Sequence, residues 1–199
     1  MTLWVIVPVK ELQLAKSRLA VALSAADRVT LMQSLLLRLL RLLEQVDTVA
    51  QVLVVSRDAA VRQLAEQAGH LAISEGDMVG LNGAVRVGVH TAAQNHATHT
   101  LILPVDLPLL ELEDVIAMTS AEAVAICPDR AQQGTNALLV PTAVPFVFQY
   151  GRNSFQLHQE EAGRHQLPLT ILNLPRVQFD LDTQADWIAY QRYQMRVVA

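Results

Sequence analysis

The chain has 199 residues, enough for one domain with a sizeable core, and 52% of them are hydrophobic. Its net charge of −4 argues against a broad basic surface, and so against a nucleic-acid partner. One cysteine, Cys127, excludes an intramolecular disulfide and fits a reducing compartment. It ends an apolar run, Val124–Cys127, and reads as a buried structural thiol rather than a nucleophile.

In chain order, the first element is the continuous apolar run Leu3–Val9, the pattern of a central strand buried on both faces. No basic lead or small-residue cleavage site precedes it. The richest apolar stretch, residues 35–43, is short and carries Arg38 and Arg41, whereas a membrane span needs ~20 predominantly apolar residues. The expectation is a cytoplasmic protein with no membrane partner. Ser24 opens a long helix to about Val46, with Asp27 three residues on as in a capping box. That helix is apolar over more than one face, so it needs cover on more than one side, and a second copy of the chain in a homodimer is one candidate.

Residues 49–56 predict a second strand. Asp58 then caps a helix to about Ala68, ended by Gly69. Residues 70–74 predict a short strand, 75–80 a loop and 81–93 a helix. The strand predicted over 98–105 stops at Asp106-Leu107-Pro108. A helix over 112–120, strands over 123–127 and 136–141, a helix over 154–163, a strand over 169–174 and a closing helix over 183–192 complete the pattern. Repeated strand–helix units predict a single α/β sandwich domain, residues 1–199, around a mostly parallel central sheet. In such folds binding residues gather at the carboxyl ends of strands, where Lys10, Ser56-Arg57-Asp58 and Asp106 all fall.

The cations are distributed unevenly. The only lysines are Lys10 and Lys16, joined by Arg18 in one stretch directly after the first strand; every other cationic side chain is arginine. Flexible ammonium groups beside a guanidinium fork suit a triphosphate. The plain alternative is a solvated loop. Asp106 stands at the tip of a buried strand and can ligate a hard cation; otherwise it is a turn or cap residue. Asp180 and Asp182, two apart in an extended segment, point to the same side and can converge on one ion, unless Asp182 only caps the last helix. With Asp106 they would form a three-carboxylate site for Mg²⁺.

Two further stretches can offer donors to an oxyanion. One is Gln133-Gly134-Thr135-Asn136, a small hydroxyl-bearing turn entering a strand. The other is Tyr150-Gly151-Arg152-Asn153-Ser154, where Gly151 permits close approach and Ser154 lies at a helix start. Gly80-Leu81-Asn82-Gly83 opens a helix and could meet a base or ribose. His70, His90, His96, His99 and His165 lack metal-ligand spacing and read as surface or structural.

Taken together, Val7-Pro8-Val9-Lys10, Ala15-Lys16-Ser17-Arg18-Leu19, Gly80-Leu81-Asn82, Pro104-Val105-Asp106-Leu107-Pro108, Gly134-Thr135-Asn136-Ala137-Leu138, Gly151-x-x-Ser154-Phe155-x-x-His158 and Asp180-Leu181-Asp182-Thr183 resemble one family. It is that of the 2-phospho-L-lactate, phosphoenolpyruvate and 3-phospho-D-glycerate guanylyltransferases of coenzyme F420 biosynthesis. The resemblance keeps motif order over nearly the whole chain. It implies a Rossmann-like, GT-A-like nucleotidyltransferase fold, and a reaction joining GTP to a phosphorylated three-carbon acid with release of pyrophosphate. It also implies a product passed to a downstream transferase of that pathway. Carried over by motif, Asp106, Asp180 and Asp182 hold Mg²⁺, and Thr135, Gly151 and Ser154 bind the acceptor. Lys10, Lys16 and Arg18 hold the GTP phosphates, with Gly80 and Asn82 also on the GTP side. Lys10, Lys16 and Asp106 are the catalytic set. The stretch before Gly80, residues 75–79, is less glycine-rich than the family pattern, so base and ribose contacts are not carried over to it.

Three other readings compete. A molybdenum-cofactor or sugar-phosphate type of nucleotidyltransferase would begin with a glycine-rich loop where this chain has Lys10-Glu11-Leu12-Gln13. A non-catalytic nucleotide-binding module would not need all three aspartates and both lysines. A scaffold would assemble through the leucine-rich helix. The choice among the three acceptor acids stays open in the sequence.

Overall fold

The apolar run at the N-terminus becomes β1 (Leu3–Pro8), buried at every position. The structure, a computed structural model, describes residues 1–14, 16–78 and 80–198. Alternate β1 side chains feed two separate cores. Leu3, Val5 and Val7 point into one, and Trp4 and Ile6 into the other. That two-sided demand is why the run has no polar alternation.

The sheet has seven strands in the order β3-β2-β1-β4-β6-β5-β7. β2 (Val49–Val55), β3 (Leu71–Ile73) and β4 (His99–Ile102) run parallel to β1. β6 (Thr135–Pro141) runs against β4 and β5 (Val124–Pro128), and β7 (Leu169–Ile171) is parallel to β5. Among the described residues β6 is therefore the one reversed strand, and its first residues lie at the edge where the other strands end, with Thr135 paired to Pro128.

Helix α1 (Ala25–Leu43) begins at the expected capping box: the Asp27 N–H donates to Ser24 Oγ, and the Ser24 N–H donates to Asp27 Oδ2. Such a cap contributes about 1 kcal/mol. Met32, Leu35, Leu36, Leu39, Leu40, Leu42 and Leu43 are buried by this chain alone, so the leucine-rich faces have cover without a second subunit. α1, α2 (Ala59–Gln67) and α4 (Leu112–Thr119) pack on one side of the sheet; α3 (Gly80–Gln94) and α5 (Ser154–Arg164) pack on the other. α6 (Gln184–Val198) closes the chain, with Trp187 and Tyr190 against the first core. α3 sits so close to the sheet that a Cβ on Gly88 would lie 2.5 Å from Ile6 Cγ2.

Two local departures from the sequence reading matter. β4 leaves the ladder at Ile102 rather than Val105, which frees Pro104 and Val105 to line a cleft. The stretch after β1 is not a plain loop but two short 3₁₀ turns, Leu12–Leu14 and Ser17–Leu19. Cys127 is buried on β5, and burial pushes its thiol up to about 11, as expected of a structural residue. No described helix is long and apolar enough to cross a membrane.

Candidate active site

The ends of β1 to β4 open on a cleft of about 590 Å³. Lys10, Lys16 and Arg18 line it from the segment after β1, Arg57 and Glu75 from the ends of β2 and β3, and Asp106 and Asp182 from opposite it. The 3₁₀ segment is held in place by Asp58. Its Oδ1 caps α2 by accepting from the Ala60 N–H at 2.9 Å, and its Oδ2 accepts from the Leu12 N–H at 3.0 Å. One carboxylate thus ties the start of α2 to the cation-bearing turns.

Lys16 is the centre of the arrangement. Its backbone is left-handed (φ 54°, ψ 37°), a conformation disfavoured for a residue with a Cβ. The side chain reaches inward, and its Nζ lies 2.5 Å from Asp106 Oδ2 and 2.6 Å from Asp182 Oδ1. Burial alone would pull this ammonium down, but the Asp106 and Asp182 carboxylates outweigh it and hold it above its ordinary value.

The two acids are brought together by backbone. The Leu181 N–H donates to the Asp106 carbonyl at 3.0 Å, which fixes residues 180–182 against the turn after β4. Neither acid is a cap. Glu111 caps α4, and at α6 the Thr183 hydroxyl accepts from the Asp186 N–H while the Asp186 carboxylate accepts from the Thr183 N–H. Asp180 is held above the usual carboxylate range by burial first, then by the nearby charges of Asp182 and Asp106. Among the described residues no three His, Cys, Asp or Glu side chains are set in ligand geometry around a common point. The two carboxylates around Lys16 offer oxygen donors only, their charge partly offset by its ammonium, and such donors are the kind a hard divalent ion prefers.

The predicted acceptor residues form a second group. Thr135 opens β6, and its Oγ1 lies 3.0 Å from Nδ1 of His158 on α5. The Phe155 N–H donates to the Gln133 carbonyl at 3.1 Å, joining the start of α5 to the turn before β6. Gly151 has φ 125°, where a side chain would be strained, and Ser154 is buried at the first position of α5. Asn82, expected at the nucleotide, bonds the backbone of Tyr150. Its Oδ1 accepts from the Tyr150 N–H at 2.7 Å and its Nδ2 donates to the Tyr150 carbonyl at 3.1 Å. It pins the residue before Gly151, whereas Gly80 and Leu81 line the cleft.

Residues 3–189 match the family described as guanylyl transferase CofC like. The chain belongs to the CofC-like guanylyltransferase family. It is 38% identical over 192 residues to the phosphoenolpyruvate guanylyltransferase of Rubrobacter xylanophilus, covering 94% of this chain and 92% of that protein. It is 32% identical over 184 residues to the 3-phospho-D-glycerate guanylyltransferase of Phenylobacterium zucineum, covering 89% and 84%. A nucleotidyl transferase from Methanothermobacter, 11% identical, superimposes with a TM-score of 0.69 over 98% of this chain and 99% of that one, which shows a shared Rossmann-like fold. The protein is therefore a nucleotidyltransferase of this family.

Other residues receive no role from the sequence reading of this CofC-like chain. Glu75 lies in the cleft in an ion pair with Arg57, at 3.2 Å. Its place directly after a short predicted strand was the available signal. His158 was read only as the last letter of a motif, and its partnership with Thr135 depends on α5 crossing the start of β6. The Tyr150 hydroxyl is buried with no partner among the described residues.

Proposed function

We propose that the protein transfers the guanylyl group of GTP to the phosphate of a three-carbon phospho-acid, with phosphoenolpyruvate the first candidate and 3-phospho-D-glycerate and 2-phospho-L-lactate the others. One observation carries the reading: an acid-bound lysine at the mouth of a cleft that also holds Lys10 and Arg18. The names of the relatives support the donor and the class of acceptor. The family resemblance supports a place in coenzyme F420 biosynthesis, with the product passed to a downstream transferase.

The chemistry follows from charge. The acceptor phosphate has a second pKa near ~6 and is largely dianionic at neutral pH, so no side-chain base is needed to create the nucleophile. Its oxygen forms a bond to the α-phosphorus of GTP. The bond from that phosphorus to the bridging oxygen of the β-phosphate breaks, and pyrophosphate leaves with the electron pair. The obstacle is one anion approaching another, so the protein's task is in-line placement and charge neutralisation. Lys10, Lys16 and Arg18 bind the triphosphate, and Lys10 and Lys16 offset charge as it develops on the leaving group. Gly80 lets the nucleotide approach the start of α3. Thr135, Gly151 and Ser154 orient the acceptor. Asp106, Asp180 and Asp182 would hold Mg²⁺, which when bound supplies Lewis-acid neutralisation of the phosphate oxygens.

The test is to incubate the protein with Mg²⁺, each of the four nucleoside triphosphates and each of the three acids, and to read products by mass spectrometry. A guanylylated acid with pyrophosphate, formed only from GTP, is the expected result. GTP binding without product in any combination would overturn the reading in favour of a non-catalytic nucleotide-binding module.

A further inference from the structure

His158 is fully buried, and both of its ring nitrogens are engaged. The Gln149 backbone N–H points at Nε2 from 3.0 Å. A backbone amide can only donate, so Nε2 must present its lone pair. In a neutral ring the proton then sits on Nδ1, 3.0 Å from Thr135 Oγ1, and it is the histidine that donates. The Thr135 hydroxyl has one hydrogen of its own. With its oxygen accepting from His158 and no other partner among the described residues, that hydrogen is free to turn away from the ring.

The direction of this bond decides the sign of what Thr135 offers. In the opposite tautomer Thr135 would donate inward to Nδ1 and present lone pairs outward, which repel an anion, while the Gln149 N–H would lose its acceptor. In the tautomer set by Gln149, Thr135 presents a donor. Carboxylates and phosphates accept hydrogen bonds and cannot offer them at neutral pH, so only this arrangement suits an acidic acceptor.

We propose that His158 is a positioning residue for the acceptor: fixed as the Nδ1–H tautomer by the Gln149 amide, it turns the Thr135 hydroxyl hydrogen toward the anionic oxygens of the phospho-acid. This rests on the assignment of Thr135 to the acceptor made above. The surroundings keep the ring neutral. Burial is the main cause, pulling its pKa down to about 4 against the partial opposition of the Glu161 carboxylate. The other neighbours are the rings of Phe146 at 6.0 Å and Tyr150 at 4.8 Å, which carry no charge at neutral pH.

The experiment combines kinetics and NMR on the intact protein. Thr135→Val should raise the acceptor KM about 10-fold or more and leave the GTP KM within about 2-fold, the loss expected of a hydrogen bond to a charged group. His158→Phe should do the same. The double variant should be no worse than the worse single one, because both remove one bond. His158→Asn, whose amide can place an N–H near the Nδ1 position, should recover the acceptor KM to within about 3-fold of wild type. In ¹⁵N spectra at neutral pH, His158 should show a protonated Nδ1 and a bare Nε2, a readout that survives if the Phe variant does not fold. A protonated Nε2, additive losses in the double variant, or equal rises in both KM values overturn the role of His158 alone. A wild-type protein that makes no product from any acceptor overturns the acceptor assignment and this proposal with it.

Discussion

Lys16→Met removes the ammonium from between Asp106 and Asp182 while keeping most of the side-chain volume. The lysine side chain is only 6% exposed, and its partners are 24% and 41% exposed. Breaking a fully buried pair costs about 3–5 kcal/mol, whereas a surface pair contributes at most about 1 kcal/mol. With one side buried and the acids partly solvated, the loss should lie between these, at about 2 kcal/mol. For a chain of this size that is a fall in Tm of roughly 4–8 °C. The loss is electrostatic, since the Asp106 and Asp182 carboxylates are left without the ammonium between them, so a divalent cation should repair it. An ion at about 100 times its Kd restores about 2.7 kcal/mol. The assay is thermal unfolding of wild type and variant, each in EDTA and in excess Mg²⁺ or Mn²⁺ without nucleotide. The variant should be less stable in EDTA, and the cation should close at least half of the gap while shifting wild type less. A gap that is the same with and without the cation would refute the idea that Lys16 occupies the place of a metal ion.

Asp106→Asn should lower turnover by about 100-fold or more while changing Tm little, measured by pyrophosphate release; a folded variant with near-normal kcat would remove Asp106 from the metal set. Stability should also depend on pH through His158. An unfolded histidine takes a proton near 6.5 and the native one only near about 4, so the unfolded state binds more protons between these values. The contribution is complete above pH 6.5 and is lost as pH falls to about 4, roughly 3 kcal/mol in all. Urea titrations of wild type and His158→Asn should therefore converge by about 2 kcal/mol between pH 7.5 and 5. Glu161 is common to both proteins and cancels, so parallel pH curves would show that the ring is not held neutral. Gly88→Ala should cost about 1–3 kcal/mol in urea unfolding despite alanine's better helix propensity, because its Cβ would press on Ile6 Cγ2 at 2.5 Å and Val55 Cγ2 at 3.1 Å. An unchanged midpoint would mean that α3 can lift from the sheet at little cost.

Much of this architecture is legible in local sequence. The uninterrupted Leu3–Pro8 run, the Ser24/Asp27 box and the Asp58 cap are signals within a few residues, and each appears as expected. The grouping of Lys10, Arg57 and Asp106 in one cleft follows from strand ends sharing an edge, which strand–helix alternation already implies. Other features are not local. That Lys16 lies between Asp106 and Asp182 depends on the Leu181–Asp106 backbone bond, which joins residues 75 apart in sequence. Asn82 and Tyr150 meet across 68 positions and Thr135 and His158 across 23. No spacing rule connects such residues, so the bonds from Asn82 to Tyr150 could not be read from the sequence.

The reversed strand β6 has a consequence for how such a protein can diversify. Its entry brings in Thr135 through the same stretch, residues 133–158, that also supplies Gly151, Ser154 and His158. The cleft that carries the lysines is assembled from earlier segments, between Pro8 and Asp106, with Asp182 added from the last part of the chain. Under the function proposed above, substitutions within that single stretch would remodel the recognition of one small acid while the cleft between β1 and β4 keeps its lining. A chain laid out this way works as a fixed engine with an interchangeable socket.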